Sequence, residues 1–367
     1  MGILSFLGFG KKEARATYGN ISDFWFGEPS DSVTPEFAMK VSAVFACVRL
    51  LSDSISVLPI TVNGVADERL KLLQKSPNPL QTRQTFLSKI MIDMLTHGAS
   101  YVKIIRTGGV VQKMIPVADP SCVTIVISPD SEIAFKVKEK NTLGNIEERV
   151  YMLGEMAYFL GMSIDGITPI SVIKHHAMTI GMAHDALQFG SRVFKSDGRP
   201  SGVIKVAAKL TDEARKRLGE SWQRAFAGTG KSHKTAVLEE GMEYSRINIT
   251  PEEAQYLETR KFQVTDIARI FGVPPHMIGD LERSTFNNIE HQGLEFVKYT
   301  LLPWIERIQQ TLERDLFNSD DSIEVKMTPD FFLRGDITSR YSAYNTGRMG
   351  GWLSVNDIRK SENMEKI

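Results

Sequence analysis

The stretch "GVPPHMIGD", Gly272 to Asp280, lies between the two segments with the clearest helix patterns and decides how they are joined. Gly272 is a typical helix C-cap, and the two prolines that follow cannot continue a helix. The helix before this stretch begins at Thr250, which is followed by a proline in the first turn and by Glu253 at the capping-box position. The sequence therefore predicts a helix over 250–272 and a loop over 273–288.

The segment after this loop carries one apolar stripe at helical spacing. Its members are Val297, Leu301, Ile305, Ile308, Leu312 and Leu316, spaced 4, 4, 3, 4 and 4 residues apart. A helix over 289–317 would be about 45 Å long at 1.5 Å rise per residue. Pro303 lies inside it, removes one backbone hydrogen bond and predicts a bend there.

The first half of the chain has an α+β pattern. We expect residues 1–34 to form a mobile N-terminal arm, because they are rich in glycine, serine and charge. A helix is predicted from Thr34 to Leu58 and another from Thr82 to His97, ending at Gly98. The strands "SYVKIIR" and "VVQKMIPV" form a hairpin through Gly108-Gly109, and "CVTIVIS", "IAFKVKEK" and "ERVYMLG" read as further short strands.

The second half begins with a proline-free segment, Ile170 to Lys195, whose apolar spacing predicts one long helix. A short strand, a helix from Thr211 and strands around Gly241 follow. The C-terminal segment reads as two helices around Gly350-Gly351, the second capped by Ser354.

One stretch resembles a nucleotide-binding loop. Within "RAFAGTGKSHKT", Ala225, Gly230, Lys231 and Ser232 fit the loose pattern [AG]-x4-G-K-[ST]. A phosphate-binding loop needs a strand before it and a helix N-terminus after it. Here a helix is predicted before it and a strand, Thr235 to Glu239, after it, so an exposed basic loop is the favoured interpretation.

Composition excludes several classes of protein. The 44 basic and 44 acidic residues give zero formal net charge, which argues against a tight nucleic-acid binder. Cys47 and Cys122 are the two cysteines of the chain, and they offer neither a disulfide framework nor zinc spacing. No apolar run reaches the length of a membrane span, and no histidine or acidic cluster has the spacing of a metal or catalytic site. We therefore expect no cofactor, no metal, no catalysis and no membrane partner.

Taken in order, several stretches resemble the portal protein of tailed bacteriophages, the type found in phages with long non-contractile tails. They are "AVFACVRLLSDSISVLPITV", "SPNPLQTRQTFLSKIMIDMLTHGASYVKIIR", "DGITPIS", "PSGVIKV", "LEEGMEY", "QYLETRKFQVTDIARIFGVPPHMIGD", "TFNNIEHQGLEFVKYTLLPWI" and "LSVNDIRKSENM". The pairing of "GVPPHMIGD" with "TLLPWI" is the most specific of them. There are departures: Ala-Ser stands in "HGASYVKI" where the family usually has Asn-Ala, and "AYFLGMSIDGITPI" lacks a histidine before Asp-Gly. The chain also ends soon after "ENM", so the family's usual C-terminal tail is expected to be trimmed or absent.

The resemblance implies an α+β portal fold with a wing, paired stem helices, a small α/β clip, a long kinked tunnel helix and a helical crown. The corresponding residues are the wing at 35–169 with a return strand at 318–334, stem helices at 170–199 and 250–272, the clip at 200–249, the tunnel loop at 273–288, the tunnel helix at 289–317 and the crown at 335–367.

The same resemblance implies a homo-oligomeric ring, usually a dodecamer, at one capsid vertex of the virion, assembled in the host cytoplasm. Double-stranded DNA would pass through it during packaging and ejection, and terminase, a head-to-tail adaptor and the major capsid protein or scaffold would be its partners. The DNA-facing tunnel residues would be His276, Asp280, Glu282, Arg283, Asn287 and Asn288. The docking residues of the clip loop would be Lys231, His233 and Lys234.

Two other classes of function remain as alternatives at this point. One is a P-loop ATPase that acts on DNA by itself, and the other is a monomeric adaptor or other interaction protein.

Overall fold

The computed structural model combines helices with short antiparallel sheets. It describes residues 33–64, 68–128, 132–140, 144–195, 202–205, 211–226, 243–246, 251–280, 292–317, 322–329, 337–362 and 364–367. The chain separates into a larger unit, Met1–His184 with Gln263–Ile367, and a smaller unit, Asp185–Phe262.

The helices and strands of the described residues are numbered in chain order. The helices are α1 (Pro35–Ala38), α2 (Ser42–Ser56), α3 (Glu68–Gln74), α4 (Arg83–His97), α5 (Val172–His175), α6 (Ala177–Lys195), α7 (Asp212–Phe226), α8 (Pro251–Ile270), α9 (Leu302–Phe317), α10 (Ile337–Met349) and α11 (Val355–Ser361). The strands are β1 (Ile60–Asn63), β2 (Ala99–Thr107), β3 (Val110–Pro116), β4 (Val123–Ile127), β5 (Ile133–Lys140), β6 (Ile146–Met152), β7 (Met156–Leu160), β8 (Gly202–Lys205), β9 (Glu243–Arg246) and β10 (Glu324–Met327).

Local capping chemistry sets the ends of the first helices. The Thr34 hydroxyl accepts a hydrogen bond from the Phe37 backbone N–H at 3.2 Å, and the Thr82 hydroxyl accepts one from the Thr85 N–H at 3.3 Å. Gly98 closes α4 in the left-handed conformation, with φ +88°. The predicted helix from Thr82 to His97 is confirmed.

Two segments were each predicted to form one continuous helix, and each forms two helices instead. The segment from Thr34 to Leu58 forms α1 and α2, because the N–H groups of Lys40 and Val41 bond three residues back and tighten the chain into a turn. The segment from Ile170 to Lys195 forms α5 and α6, because His176 adopts φ −105° and ψ 26° between them. In both cases the apolar spacing continues through the break, so periodicity alone cannot detect it.

Two three-stranded antiparallel sheets follow α4. One has the strand order β3-β2-β7 and the other β4-β5-β6. The hairpin of β2 and β3 turns at Gly108 and Gly109, which have φ values of +58° and +80°, as predicted from the glycine pair. Strand β7 was not predicted, because "MAYFL" is short and buried on both faces and shows no alternation.

Aromatic packing joins these two sheets. The Tyr101 ring of β2 stacks on Tyr158 of β7 with centroids 5.2 Å apart, and Phe135 of β5 contacts both rings. These three residues belong to a separate small core that also includes Val137 and Met156.

A larger core is built around one continuous helix of residues 292–317, in which residues 292–295 are α-helical, Phe296–Leu301 form a π-helical turn and α9 follows. Residues of α2, α4 and α6 and the segment 267–273 pack together with the apolar stripe of that helix. Its stripe is almost fully buried, from Val297 at 2% exposure to Leu316 at 4%. The helix is therefore the element around which the larger unit is packed.

The same helix holds strands by its polar side chains. Gln309 accepts a hydrogen bond from the Met327 N–H and Glu313 one from the Val325 N–H, both at 2.7 Å, so β10 is fixed along the helix. Strand β10 pairs antiparallel with β1, more than 250 residues earlier. Neither β1 nor α3 was predicted.

The buried Asp315 links α9 to the first sheet. Asp315 is 3% exposed and accepts hydrogen bonds from Arg314 Nε at 2.7 Å and Nη2 at 2.8 Å. Its Oδ2 also accepts from the Tyr158 backbone N–H at 3.3 Å. The Asp315 backbone carbonyl accepts from Arg106 Nη2 at 2.6 Å, so strands β2 and β7 are both attached to the end of the helix.

The smaller unit contains a helix and a two-stranded sheet. Strands β8 and β9 pair antiparallel, with Val203 opposite Ser245. Helix α7 lies between them in sequence, and Thr211 caps it by accepting a hydrogen bond from the Ala214 N–H at 3.3 Å. The predicted strand Thr235 to Glu239 lies outside the described residues.

The C-terminal helices α10 and α11 enclose a glycine turn, as predicted. Ser354 and Asp357 form a reciprocal capping box, in which the Asp357 N–H donates to the Ser354 hydroxyl at 3.1 Å and the Ser354 N–H to the Asp357 carboxylate at 3.0 Å. Arg340 of α10 pairs with Glu362, with Nε and Oε1 2.9 Å apart. Among the described residues, no helix has the length and hydropathy needed to cross a membrane.

Gly98 is a position at which a side chain would collide with backbone. A Cβ there would lie 2.3 Å from the Ile170 carbonyl oxygen, whereas a Cβ on Gly108, also at positive φ, would meet nothing within 4 Å. We expect Gly108→Ala to lower the free energy of unfolding by roughly 1–2 kcal/mol, the cost of the left-handed conformation. Gly98→Ala adds overpacking of about 1–3 kcal/mol. Urea unfolding of both variants tests this, and equal losses would contradict the close packing of Gly98 on Ile170.

Asp93 makes stability depend on pH in a defined direction. Its side chain is buried, pairs with Lys89 Nζ at 2.6 Å and accepts from Ser100 Oγ at 3.0 Å. Desolvation outweighs these partners and raises the pKa of the carboxyl to about 6. Because the folded pKa exceeds the unfolded one, this group's stabilising contribution is present below about pH 4 and is lost as pH rises through about 6.

As pH rises from 4.5 to 7.5, the unsubstituted protein should lose about 2 kcal/mol of unfolding free energy through Asp93. The Asp93→Asn variant should not show this loss, so its stability relative to the unsubstituted protein should rise by that amount, as measured by urea unfolding. Asp165 provides the control. Although desolvation raises the pKa of its carboxyl, hydrogen bonds from Thr168, Ile167 and Ser163 lower it to about 2. The effect of Asp165→Asn should therefore stay nearly constant over the same pH range. A pH-independent effect of Asp93→Asn would show that the Asp93 carboxylate is not desolvated.

Candidate functional site

The stretch "GVPPHMIGD" forms a compact turn at the end of α8. The Val273 N–H donates to the Ala268 carbonyl at 2.9 Å and the Gly272 N–H to that of Arg269 at 3.1 Å. With Gly272 at φ +66°, this is a Schellman-type end. Val273 is buried and anchors the turn in the larger core.

The prolines shape the rest of the turn. Pro275–Ile278 is a 3-10 helix with Pro274 at its N-cap, and the Asp280 N–H donates to the Pro275 carbonyl at 3.1 Å. Gly279 ends it in the left-handed conformation, at φ +95°. Two left-handed glycines therefore bracket the turn and fix the direction in which the chain leaves at Asp280.

Two of the predicted tunnel residues lie in this turn. The Thr265 hydroxyl of α8 donates to Asp280 Oδ2 at 3.3 Å, which attaches the end of the turn to the helix before it. His276 is half-buried on the 3-10 helix, and its buried Nδ1 makes no hydrogen bond within the described structure.

The helix after the loop returns to the same turn. Thr300 Oγ1 donates a hydrogen bond of 2.6 Å to the Gly272 carbonyl, so a residue of the second helix occupies the acceptor left open at the end of the first. Phe296, Val297 and Leu301 are buried in the core that contains Phe271 and Val273. The two helices are thus joined by packing as well as by one hydrogen bond.

Pro303 explains the unusual geometry of this second helix. Residues Phe296–Leu301 form a π-helical turn, and the Leu302 N–H bonds to the Val297 carbonyl, five residues back. Since Pro303 has no N–H to donate, the wider turn before it relieves the local mismatch in the hydrogen-bond ladder. The π-helical turn includes Thr300, and the bend predicted at Pro303 stays a prediction.

The remaining predicted site residues lie outside the described structure. They are Glu282, Arg283, Asn287 and Asn288 of the tunnel loop and Lys231, His233 and Lys234 of the clip loop. The structure therefore places His276 and Asp280 together on one turn, and the roles assigned to all of the predicted site residues stay predictions.

Sequence reasoning missed Thr265 and Thr300, the two hydroxyl side chains that secure the turn. Thr300 stands three residues before Pro303, where a disturbed helix has spare hydrogen-bonding groups. That position was the one available signal. Nothing in the sequence pairs Thr265 with Asp280, because the contact depends on the tertiary turn.

The described residues contain no group of three or more histidine, cysteine or acidic side chains able to hold a metal ion. Burial raises the pKa of the Cys47 thiol to about 12, which makes it a poor nucleophile. His175 and His176 have ring planes tilted by 87°, and burial lowers the pKa of His176.

The loose nucleotide-binding pattern is preceded by a helix. Helix α7 ends at Phe226, before Gly230, Lys231 and Ser232, which lie outside the described residues. A phosphate loop requires a strand at that place. The part of the pattern that can be checked therefore has the wrong secondary structure for phosphate binding.

Comparison with known proteins identifies the family of this chain. The family model described as "Phage portal protein" matches residues 42–363. The chain is 32% identical over 356 residues to the "Probable portal protein" of Streptomyces phage phiC31, covering 92% of this chain and 77% of that protein. It is 28% identical over 354 residues to the "Portal protein" of Enterobacteria phage HK97, covering 92% and 81%.

A solved structure agrees in fold. The neck of the native gene transfer agent (GTA) particle, computed with C12 symmetry, matches at a TM-score of 0.64 and 19% identity, over 95% of this chain and 99% of that chain. At that identity the match shows the fold alone. Together with the family model, which spans most of the sequence, and the relative at 32% identity, it leads to one conclusion: the chain belongs to the phage portal protein family.

Proposed function

We propose that this chain forms a closed homo-oligomeric ring, a dodecamer, that surrounds a DNA channel at one vertex of the capsid and has no catalytic activity of its own. The observation that carries the proposal is the match of the phage portal protein model to residues 42–363. The junction at Gly272, where the Thr300 hydrogen bond and the buried Val273 fix two helices together, supports the proposed position of the tunnel loop. Membership in the portal family and the twelvefold symmetry of the matched particle neck support the ring.

The junction supplies a rigid base for a lumen loop. The chain enters residues 281–291 from Asp280, which is held by Thr265, and the helix that follows is held to Gly272 by Thr300. Both ends of this segment are therefore anchored within one packed unit. Because both ends of the loop are anchored, the loop can contact passing DNA while the rest of the subunit keeps its structure.

The charge of the loop suits a sliding contact. The tunnel loop, residues 273–288, contains Asp280, Glu282 and Arg283, so positive and negative side chains are mixed, as they are in the whole chain. Each phosphate that a protein neutralises adds to DNA affinity, and a strongly basic lumen would retain the DNA at every step. A mixed lumen lowers the barrier to translocation.

The parts of the chain take the roles expected for the family. We assign residues 35–169 and 318–334 to the wing, 170–199 and 250–272 to the stem, 200–249 to the clip, 273–288 to the tunnel loop, 289–317 to the tunnel helix and 335–367 to the crown. The separate compact unit, Asp185–Phe262, supports an independent clip, because it contains its own sheet and helix. The two C-terminal helices, held by Arg340 and Glu362, support a helical crown.

The proposed partners are terminase, a head-to-tail adaptor and the major capsid protein or scaffold, with assembly in the host cytoplasm and a final position in the virion. ATP would be hydrolysed by terminase, because α7 stands where a phosphate loop needs a strand. Lys231, His233 and Lys234 of the clip loop would then be docking residues.

The lumen assignment predicts effects of charge reversal. We expect Arg283→Glu or Glu282→Lys to change packaged DNA or its retention by roughly tenfold, because each change is repeated in every subunit around the same DNA. Ring assembly should be unaffected. Packaging assays with virions, and particle mass for assembly, provide the two measurements.

The matched control is Lys40→Glu, a reversal at an exposed position outside the loop, which should leave both measurements unchanged. Normal packaging in both loop variants would remove residues 281–291 from the lumen, whereas loss of the ring in these variants would give them a structural role instead.

The clip assignment predicts a docking defect. Replacing Lys231 and Lys234 together by alanine should weaken terminase or adaptor binding by about tenfold, equal to about 1.4 kcal/mol. Lys205→Ala with Lys216→Ala, at two exposed positions of the same unit, is the matched control. Unchanged binding would contradict docking by this loop. ATP turnover by the purified protein that Lys231→Ala abolishes would establish the enzyme alternative.

A further inference from the structure

Helix α6 carries an exposed apolar pair on the side opposite its buried face. Met178 is 78% exposed and Met182 is 56% exposed, and they stand four residues apart on one side of the helix. The other side of the same turns, with Ala177, Ile180 and Ala183, is buried in the larger core. The two neighbouring methionines therefore expose apolar surface to solvent.

The N-terminal part of the described chain runs along this helix. Val33 is 5% exposed, and its Cγ2 lies 3.9 Å from the position that a Cβ on Gly181 would take. One turn further along, the Phe37 ring contacts the His184 ring, with centroids 4.3 Å apart. Residues before Val33 therefore leave the described structure beside Gly181, which adjoins Met182 in sequence and lies three residues after Met178.

The chain before Val33 contains an apolar segment of the right size. Phe24, Trp25 and Phe26 are consecutive, and the polar stretch 27–32 separates them from Val33. Seven residue steps span at most about 25 Å. Met178 lies about 4.5 Å along the helix axis from Gly181, at 1.5 Å per residue. The segment can therefore reach the methionine pair without strain.

We propose that Phe24-Trp25-Phe26 of the same chain docks on the Met178–Met182 face of α6. Aromatic rings and thioether sulfurs attract each other, and methionine adapts its shape to flat rings. Each aromatic side chain buries about 150–250 Å² on docking. A tether of six residues gives the segment a millimolar effective concentration, an advantage that a second copy of the chain does not have. The expected mobile arm is thereby narrowed to residues 1–23.

Methionine oxidation by dilute hydrogen peroxide tests the proposal, because sulfoxide formation follows exposure. Peptide mass spectrometry gives the rates for Met178, Met182 and Met349, the last being 83% exposed and distant in sequence. We expect Met178 and Met182 to react about fivefold more slowly than Met349 in the unsubstituted protein. In the variant Phe24→Ser, Trp25→Ser, Phe26→Ser, the three rates should become equal, while that of Met349 stays unchanged.

Two outcomes would overturn the proposal. Equal rates in the unsubstituted protein would show that the methionine face is bare. Slow oxidation that persists in the triple-serine variant would show that something else, such as a second copy of the chain, covers it.

A cross-linking measurement supplies an independent check. Phe26→Cys with Met182→Cys, in a Cys122→Ser background, should oxidise to an intrachain disulfide, seen by mass spectrometry as a disulfide-linked peptide pair in protein that runs at one chain mass on a denaturing non-reducing gel. Cys47 is buried and stays reduced. Phe26→Cys with Leu80→Cys is the control, since Leu80 is 95% exposed on a different part of the larger unit. A product of two chain masses, or equal cross-linking in the control, would reject docking within the chain.

Discussion

The apolar stripe of the helix at residues 292–317 is the constraint on which the rest of the larger unit depends. Its buried face forms the centre of the main core. Its polar side chains hold β10 through Gln309 and Glu313, and Asp315 holds the backbone of β7. A helix that carries this many attachments cannot rotate without breaking them. The junction at its other end, where Thr300 meets Gly272, therefore has a fixed position in the larger unit.

Pro303 lies close to that junction. It has no N–H to donate, and the π-helical turn Phe296–Leu301 stands just before it. Thr300 lies in this turn and donates to a carbonyl at the end of α8, so one irregularity in the second helix completes the end of the first. The same arrangement anchors the chain on both sides of residues 281–291, which include most of the proposed tunnel loop.

Local chemistry made part of this fold predictable. The caps at Thr82 and Gly98, the glycine hairpin and the capping box at Ser354 each depend on residues within a few positions of one another, and all are present. The break at His176 was missed because apolar spacing continues through it. The β1–β10 pairing was missed because its strands are four residues long and far apart in sequence. Of the site, the turn could be predicted from its glycines and prolines, but the contact of Thr265 with Asp280 is tertiary.

Family membership and net charge are the two arguments for the proposed function. Membership in the portal family supports the proposed ring, and a neutral chain suits the proposed channel, through which DNA would have to slide. Negative-stain imaging of the purified protein tests this account most directly. The account predicts closed rings of about 490 kDa, twelve copies of a 41.1 kDa chain around a central hole. A population made only of single compact particles the size of one chain would contradict it.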